Sequence, residues 1–267
     1  MKYILLDISG IIYRAFFALN QDKFHRSDGF PTNAILGTIN ILKQINKKFP
    51  DHIFVACRDS KRSELLRSQE TDTYKQNRKS ADPVLAQQFE HIYKSIEAMN
   101  ITSIKCTGYE ADDIIATLAF ILHKDHEVII ASSDKDMNQL LVYDNVRIYN
   151  PAKKDFFDSD DCFQKFQVTP YNFTFYQAFV GDASDNIKGI KGVGPKTAVK
   201  LINKYVTIEN FINDTESKYI NNIEDFKQSF ELVTLSTNVH IESKQYSKQN
   251  FKTKEFKDFC KYMEIKG

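Results

Sequence analysis

The chain opens with YILLDI, a short and almost wholly apolar run that predicts a buried strand ending at Asp7. HIFVAC (52–57) predicts a second such strand, with Asp59 just past its end. Between them, NAILGTINILKQINKKF places Ile35, Ile39, Leu42 and Ile45 at helical spacing. PVLAQQFEHIYKSIEAM (83–99) predicts one amphipathic helix with proline in its first turn. ITSIKC, ADDIIATLAFILH and EVIIAS then read as strand, helix and strand, and DKDMNQLL starts another helix at once. This alternation predicts an α/β fold, a mainly parallel central sheet with helices on both faces. Past about residue 165 the strand signal fades and the pattern stays helical. The expected organisation is therefore an α/β core over 1–165 and a helical region over 166–267. Residues 60–80 are polar and basic with weak periodicity, which fits a solvated helical excursion or a mobile loop.

Open α/β sheets collect functional groups at the carboxyl ends of their strands. Asp7, Asp59, Glu110 and Asp134 all fall at or just past such ends. GYEADDII (108–115) also crowds Asp112 and Asp113 beside Glu110. A helix dipole accounts for one acidic cluster at a helix start, but not for four strand ends sharing an edge. SSDKDMNQL adds Asp136, and GDASDN adds Asp182 and Asp185, making nine candidate carboxylates. Nine anions in one cleft would strongly raise each other's pKa without cations. Hard oxygen donors with no nearby His/Cys set point to magnesium or manganese. Two such ions would suit hydrolysis of a phosphodiester, by activating water and stabilising the leaving oxygen. A haloacid-dehalogenase-type phosphatase would need a second Asp where Ser9 stands, and glycoside hydrolysis needs two carboxylates rather than nine.

Net charge is only +1, but its distribution is uneven. Setting the nine carboxylates aside leaves 26 acids against 36 bases, a net +10, as expected of a DNA-binding surface around a metal pocket. Five lysines and no acid lie between Ile187 and Lys204, and Arg58 to Lys79 carries seven bases against four acids. Cys57, Cys106, Cys162 and Cys260 are scattered without a CxxC pair, which argues against a zinc site or disulfide framework. No apolar run approaches the roughly 18 residues of a membrane span, and Asp7 spoils the N-terminus as a secretory signal. A cytoplasmic location away from membranes is expected.

GIKGVGPKTAVKLI (189–202) reads as a glycine turn followed by a helix starting near Pro195. Gly192 and Gly194 let the backbone approach closely, and exposed amides at the helix start suit a phosphate. Lys191, Lys196 and Lys200 add point charges, the pattern of a helix-hairpin-helix element that grips duplex backbone without reading bases. An ordinary turn with a solvated lysine face is the alternative on this stretch alone. It is no P-loop, because GxxxxGK[ST] is absent.

The stretches LLDISGIIYRAFFAL, GFPTNAILG, YKQNR, GYEADD, SSDKDMNQLL and GDASDNIKGIKGVGPKTA together resemble the 5′-nuclease (flap endonuclease) family. The closest likeness is to the N-terminal 5′→3′ exonuclease domain of bacterial DNA polymerase I. The resemblance implies a first metal site of Asp7, Asp59, Glu110 and Asp112. A second site would use Asp113, Asp134, Asp136, Asp182 and Asp185. It implies a helical arch over 60–80 that admits a single-stranded 5′ end. Lys75 and Arg78 on that arch would contact the scissile phosphate, Tyr74 would stack on a base, and Arg14 would lie near the active centre. The duplex clamp over about 182–204 would use Lys191, Gly192, Gly194, Lys196, Thr197 and Lys200, assisted by potassium. Two departures stand out: Ile8 follows the first Asp where the family usually has glycine, with Gly10 displaced, and Cys57-Arg58 precedes Asp59.

The implied activity is metal-dependent 5′→3′ exonuclease and flap endonuclease cleavage in bacterial DNA replication and repair. The implied partners are DNA with a 5′ single strand or flap and adjoining duplex, and a separate DNA polymerase, with the chain itself a monomer. No polymerase sequence follows Lys266, so a stand-alone nuclease or a module trimmed at a domain border is expected. Two other classes compete: a DNA-junction binding module with a degenerate site, and an RNA nuclease of PIN type. The apparently complete acidic set argues against the first, and the glycine–lysine element against the second.

Overall fold

The computed structural model describes residues 1–71, 73–242 and 246–266. Its strands are β1 (Lys2–Asp7), β2 (Ile53–Arg58), β3 (Thr102–Lys105), β4 (Glu127–Ala131), β5 (Val146–Asn150) and β6 (Asp155–Phe157). They form one sheet in the order β3-β2-β1-β4-β5-β6, parallel throughout except for the β5–β6 pair. Strand order reverses between β1 and β4, where Leu6 lies opposite Ala131. The crevice beyond their carboxyl ends is therefore the switch point at which open α/β sheets bind ligands.

The helices are α1 (Ile8–Ala18), α2 (Asn33–Lys48), α3 (Leu66–Glu70), α4 (Pro83–Ala86), α5 (Phe89–Ala98) and α6 (Ala111–Leu122). After the sheet come α7 (Ser159–Phe166), α8 (Phe173–Val180), α9 (Pro195–Tyr205), α10 (Ile208–Ile212), α11 (Ile223–Val233) and α12 (Lys254–Tyr262). Side chains alternate across β1, so Ile4 and Leu6 face the core that includes α1, α2 and α5, while Tyr3 and Leu5 face the one that includes α6. The second core continues into the helical region, where the buried rings of Phe179, Phe211 and Phe226 lie 4.8–5.0 Å apart. Each such burial contributes about 1.5–3 kcal/mol. Helix α12 instead returns to the first core, through Phe256, Cys260 and Met263.

Three local features differ from the pattern. The expected helix over 83–99 breaks at Gln87–Gln88 into α4 and α5. Buried Gln88 accepts from the Ala34 and Ile35 amides (3.0 and 3.3 Å) and donates to Asn33 Oδ1 (2.9 Å). It thereby satisfies orphan donors at the start of α2. The helix after Asp134 is a 3₁₀ helix, Lys135–Val142. The hairpin β5–β6 has only five- and three-residue strands, too short for a period to show.

Residues 60–80, of which 72 lies outside the described residues, are mostly exposed, with short helical turns, but are anchored to the rest of the fold. Their only α-helix among the described residues is the five-residue α3, and Tyr74 and Lys75 are buried against the acidic edge of the sheet.

Candidate active site

Asp7 closes β1 and caps α1, accepting from Gly10 N (2.9 Å) and Ser132 Oγ (2.8 Å). A Cβ at position 10 would stand 2.5 Å from Asp7 Oδ2, so only glycine leaves the carboxylate room there. That gives the displaced Gly10 a physical reason. Exposed Asp59 takes the Ser9 hydroxyl on one oxygen and the Ala111 amide (2.8 Å) on the other. It thus sits over the start of α6, where a negative charge is favoured.

Helix α6 distributes three carboxylates to different surroundings. Glu110 is its N-cap residue, buried, with the Tyr74 hydroxyl donating at 2.6 Å and the Lys75 ammonium on its other oxygen. Burial alone would raise its pKa, but Lys75, Tyr74 and Arg67 outweigh burial and hold the carboxyl below its ordinary range. Asp112 faces the crevice, where burial, then the charges of Asp134, Asp7, Asp59 and Glu110, push its pKa far up. Asp113, about 100° further round the helix, faces away. It is 2 % exposed, forked by Arg67 (2.7 and 2.8 Å) and capped by the Ser236 amide (2.9 Å).

Asp134 and Asp136 follow β4. Asp134 Oδ1 accepts the Asp136 amide (2.9 Å), which directs both carboxylates towards Asp112. Gln177 on α8 donates to Asp136 (2.5 Å), yet burial and the Asp134 charge raise Asp136 to about 7. Asp7 is likewise raised to about 6, by burial first and then by Asp59 and Asp134.

Asp182 and Asp185 lie on the loop after α8. This loop is pinned by two glycines at positive φ, Gly181 and Gly189, whose backbones touch so closely that a Cβ on either would collide with the other strand. Asp182 accepts from Ser184 N and Oγ (2.9 and 2.7 Å) and pairs with Lys135 (3.2 Å). Burial opposes its ionisation, but Ser184 and Lys135 hold its pKa low. Asp185 is raised by burial, which outweighs the nearby Lys75 (3.4 Å) and the close Arg78 guanidinium.

Two trios of oxygen donors result: Asp112–Asp134–Asp136 and Asp136–Asp182–Asp185, each with its atoms within 4.8 Å of one another. Asp136 is shared. Hard oxygens gathered this closely, with only Asp182 and Asp185 carrying cationic partners among the described residues, fit divalent cations of the magnesium class. The grouping by distance cuts across the expected division between sites. Asp112 groups with Asp134 and Asp136 rather than with Asp7, Asp59 and Glu110, which line the crevice beside them. Asp113, expected as a ligand, is outside both trios and has Arg67 and Ser236 on its oxygens.

The basic candidates also have definite places. Lys75 and Arg78 sit directly on Glu110 and Asp185. Tyr74, expected as a stacking surface, is 3 % exposed with its hydroxyl on Glu110, so in this conformation its ring meets no base. Arg14 is exposed beside the Asp7 crevice and donates to Ala152 O (3.5 Å). Gly192 has φ 81°, Gly194 caps α9, and open space surrounds both Cα atoms. Lys191, Lys196 and Lys200 are exposed, and none has an ion-pair partner among the described residues; Thr197 is half-buried in the first turn of α9.

Sequence reasoning missed Ser9, Ser132, Arg67 and Gln177, which hold the carboxylates in place. Only Gln177 carried a signal, as the lone amide within the apolar FTFYQAFV.

Residues 2–167 match the N-terminal resolvase-like domain of 5′-3′ exonucleases, and 168–257 match the C-terminal SAM fold of the same enzymes. A 5′-3′ exonuclease of Aquifex aeolicus is 39% identical over 248 residues, covering 89% of this chain and 83% of that one. DNA polymerase I of Bacillus subtilis is 34% identical over 258 residues, 90% of this chain but 28% of the polymerase. The fold also matches the T5 D15 protein crystallised with metal ions (TM-score 0.71, 20% identity, 89% and 90% of the two chains). The Rad2 catalytic core bound to DNA aligns with a TM-score of 0.58 at 14% identity, over 98% of this chain and 87% of that one. On these matches the chain belongs to the 5′-3′ exonuclease family.

Proposed function

We propose that this protein hydrolyses DNA phosphodiesters near single-strand/duplex junctions, as a divalent-metal-dependent 5′→3′ exonuclease and flap endonuclease. The observation that carries this reading is the pair of carboxylate trios joined through Asp136 at the switch point of the sheet. Asp112, Asp134, Asp136, Asp182 and Asp185 would hold two Mg²⁺ or Mn²⁺ ions, with Asp7, Asp59 and Glu110 lining the approach. When bound, such ions supply Lewis acidity for the attacking water and the departing oxygen.

The remaining work falls to the chain's own side chains. Lys75 and Arg78 are already held at the crevice, so a phosphate arriving there meets two cations within reach of the carboxylates. Duplex would rest on Lys191, Lys196, Thr197 and Lys200, with Gly192 and Gly194 admitting the backbone and K⁺ aiding the turn. Residues 60–80 would cover the single strand, and Arg14 would steer the strand past Asp7. The protein would act in the cytoplasm as a monomer; a role alongside a DNA polymerase is supported by several relatives in which the matching part is about a quarter of a DNA polymerase I.

The test is a 5′-flap DNA labelled at either end, incubated with Mg²⁺, with EDTA, and with Asp136→Asn. Cutting near the junction is expected with Mg²⁺ alone. Tight binding with no cutting under any condition would replace this reading with that of a junction-binding protein.

A further inference from the structure

A cavity of about 430 Å³ with a mixed polar and apolar lining opens at the β5–β6 edge, between the 3₁₀ helix, the hairpin and α7. Asp134 belongs both to its wall and to the Asp112–Asp134–Asp136 trio, so the cavity adjoins the place where the reaction is proposed to occur. Its volume lies within the usual range of small-ligand sites, enough for a single nucleobase with its sugar.

The lining is informative about what would enter. Three lysines and three aspartates balance one another, so the cavity offers a bare phosphate chain no net attraction. Half-buried Phe157 gives it an apolar wall, with the Lys165 ammonium 5.7 Å from the ring centre. Asn138, Asn150 and Gln164 add amide groups. Asn150 Oδ1 accepts from the Ala152 and Lys153 amides (2.8 and 3.1 Å), so its NH₂ remains to donate. An aromatic wall with donors and acceptors around it is the chemistry that receives an unstacked base.

Position on the molecule points the same way. Residues 60–80 fasten to the Asp182–Asp185 loop, through Asn77 Nδ2 to Ala183 O (2.8 Å) and Asn186 Nδ2 to Thr73 O (2.7 Å). That loop leads into α9 and also reaches the cavity, since Asp182 pairs with Lys135 of the cavity wall (3.2 Å). A strand held at the carboxylates would therefore lie next to the cavity.

We propose that this cavity is a subsite for one unpaired nucleobase of the DNA substrate, stacked on Phe157 beside the scissile phosphate. The inference rests on the nuclease reading above. It is tested with 5′-flap substrates that each carry one abasic nucleotide, stepped through the positions on either side of the junction. The proteins compared are wild type, Phe157→Ala, and Gln164→Trp, which fills the cavity from an exposed position on α7. In the wild type, one position should lose about tenfold in kcat/KM when its base is removed. In both variants the same base removal should cost little, because the stacking wall is removed in one and the base's space is filled in the other. In complexes held with Ca²⁺, 2-aminopurine at that position should change its emission on Phe157→Ala.

The subsite is overturned if no position is sensitive, if the full penalty persists in both variants, or if the emission is unchanged. A wild-type protein that binds the intact flap and cuts nothing is a different result, visible in the control lane. That result removes the nuclease reading, and the subsite with it.

Discussion

Replacing Arg67 with methionine separates a structural from a metal-binding role for Asp113. The guanidinium makes four bonds, two to Asp113 (2.7 and 2.8 Å), one to Glu110 (3.2 Å) and one to Thr234 O (2.7 Å). Its side chain is 15 % exposed and that of Asp113 2 %, so this is a buried pair rather than a surface one. Removing one member of such a pair strands the other charge, a loss of about 3–5 kcal/mol. For a chain of this size that corresponds to a fall of roughly 6–20 °C in Tm. Urea unfolding and thermal melts without divalent ions would read it directly. The double variant Arg67→Met/Asp113→Asn should recover much of the loss, because no unpaired charge remains. It should also bind Mg²⁺ as tightly as the wild type in calorimetry. A single variant within about 1 kcal/mol of wild type would refute the buried-pair argument. A double variant with intact stability but no Mg²⁺ binding would return Asp113 to the ligands.

Three other outcomes follow from the same geometry. Gly10→Ala should leave the fold intact but displace the Asp7 carboxylate that its Cβ would meet at 2.5 Å, lowering Mg²⁺ affinity in calorimetry; unchanged affinity would exclude Asp7 from any part in cation binding. Asp7 and Asp136 are raised to about 6 and about 7 from an ordinary 3.8, so the folded metal-free protein keeps protons that the unfolded chain gives up. Its own stability should therefore fall as pH rises through that window, while the Tm gain on adding Mg²⁺ should grow between pH 5.5 and 8 as binding displaces fewer protons, and a gain independent of pH would contradict it. Lys191→Ala, Lys196→Ala and Lys200→Ala should each weaken DNA binding without regard to sequence and reduce the salt slope by about one, as measured by anisotropy at several salt concentrations.

Much of this was legible in the chain because the strands announce themselves. YILLDI and EVIIAS are short apolar runs with a carboxylate at or just past the end, and parallel strand order then brings those ends to one edge. Partners distant in sequence left no trace. Asp112 and Asp113 are equivalent in GYEADDII. What separates them is the helical turn between them and contacts from Arg67, 46 residues earlier, and Ser236, 123 residues later. Tyr74 and Lys75 look like surface residues within a polar, basic stretch. They are buried because the acids they meet lie 35 or more residues further on, at Glu110 and Asp185. The break at Gln88 has the same origin, since its amide serves the start of a helix more than fifty residues earlier.

The charge balance of the crevice bears on how many ions it would hold. Eight carboxylates gather there once Asp113 is set aside: Asp7, Asp59, Glu110, Asp112, Asp134, Asp136, Asp182 and Asp185. The chain places Lys75, Arg78 and Lys135 among them. Where these cations touch Glu110 and Asp182, the carboxyl pKa is held low despite burial. At Asp7, Asp112, Asp136 and Asp185 it is driven up, even though Asp185 has two of the cations beside it. Eight carboxylates against three cations leave five negative charges that the protein's own side chains do not offset. Two divalent ions bring four positive charges. One would leave more than half of that imbalance in place, which is why we favour a two-ion site centred on the shared Asp136.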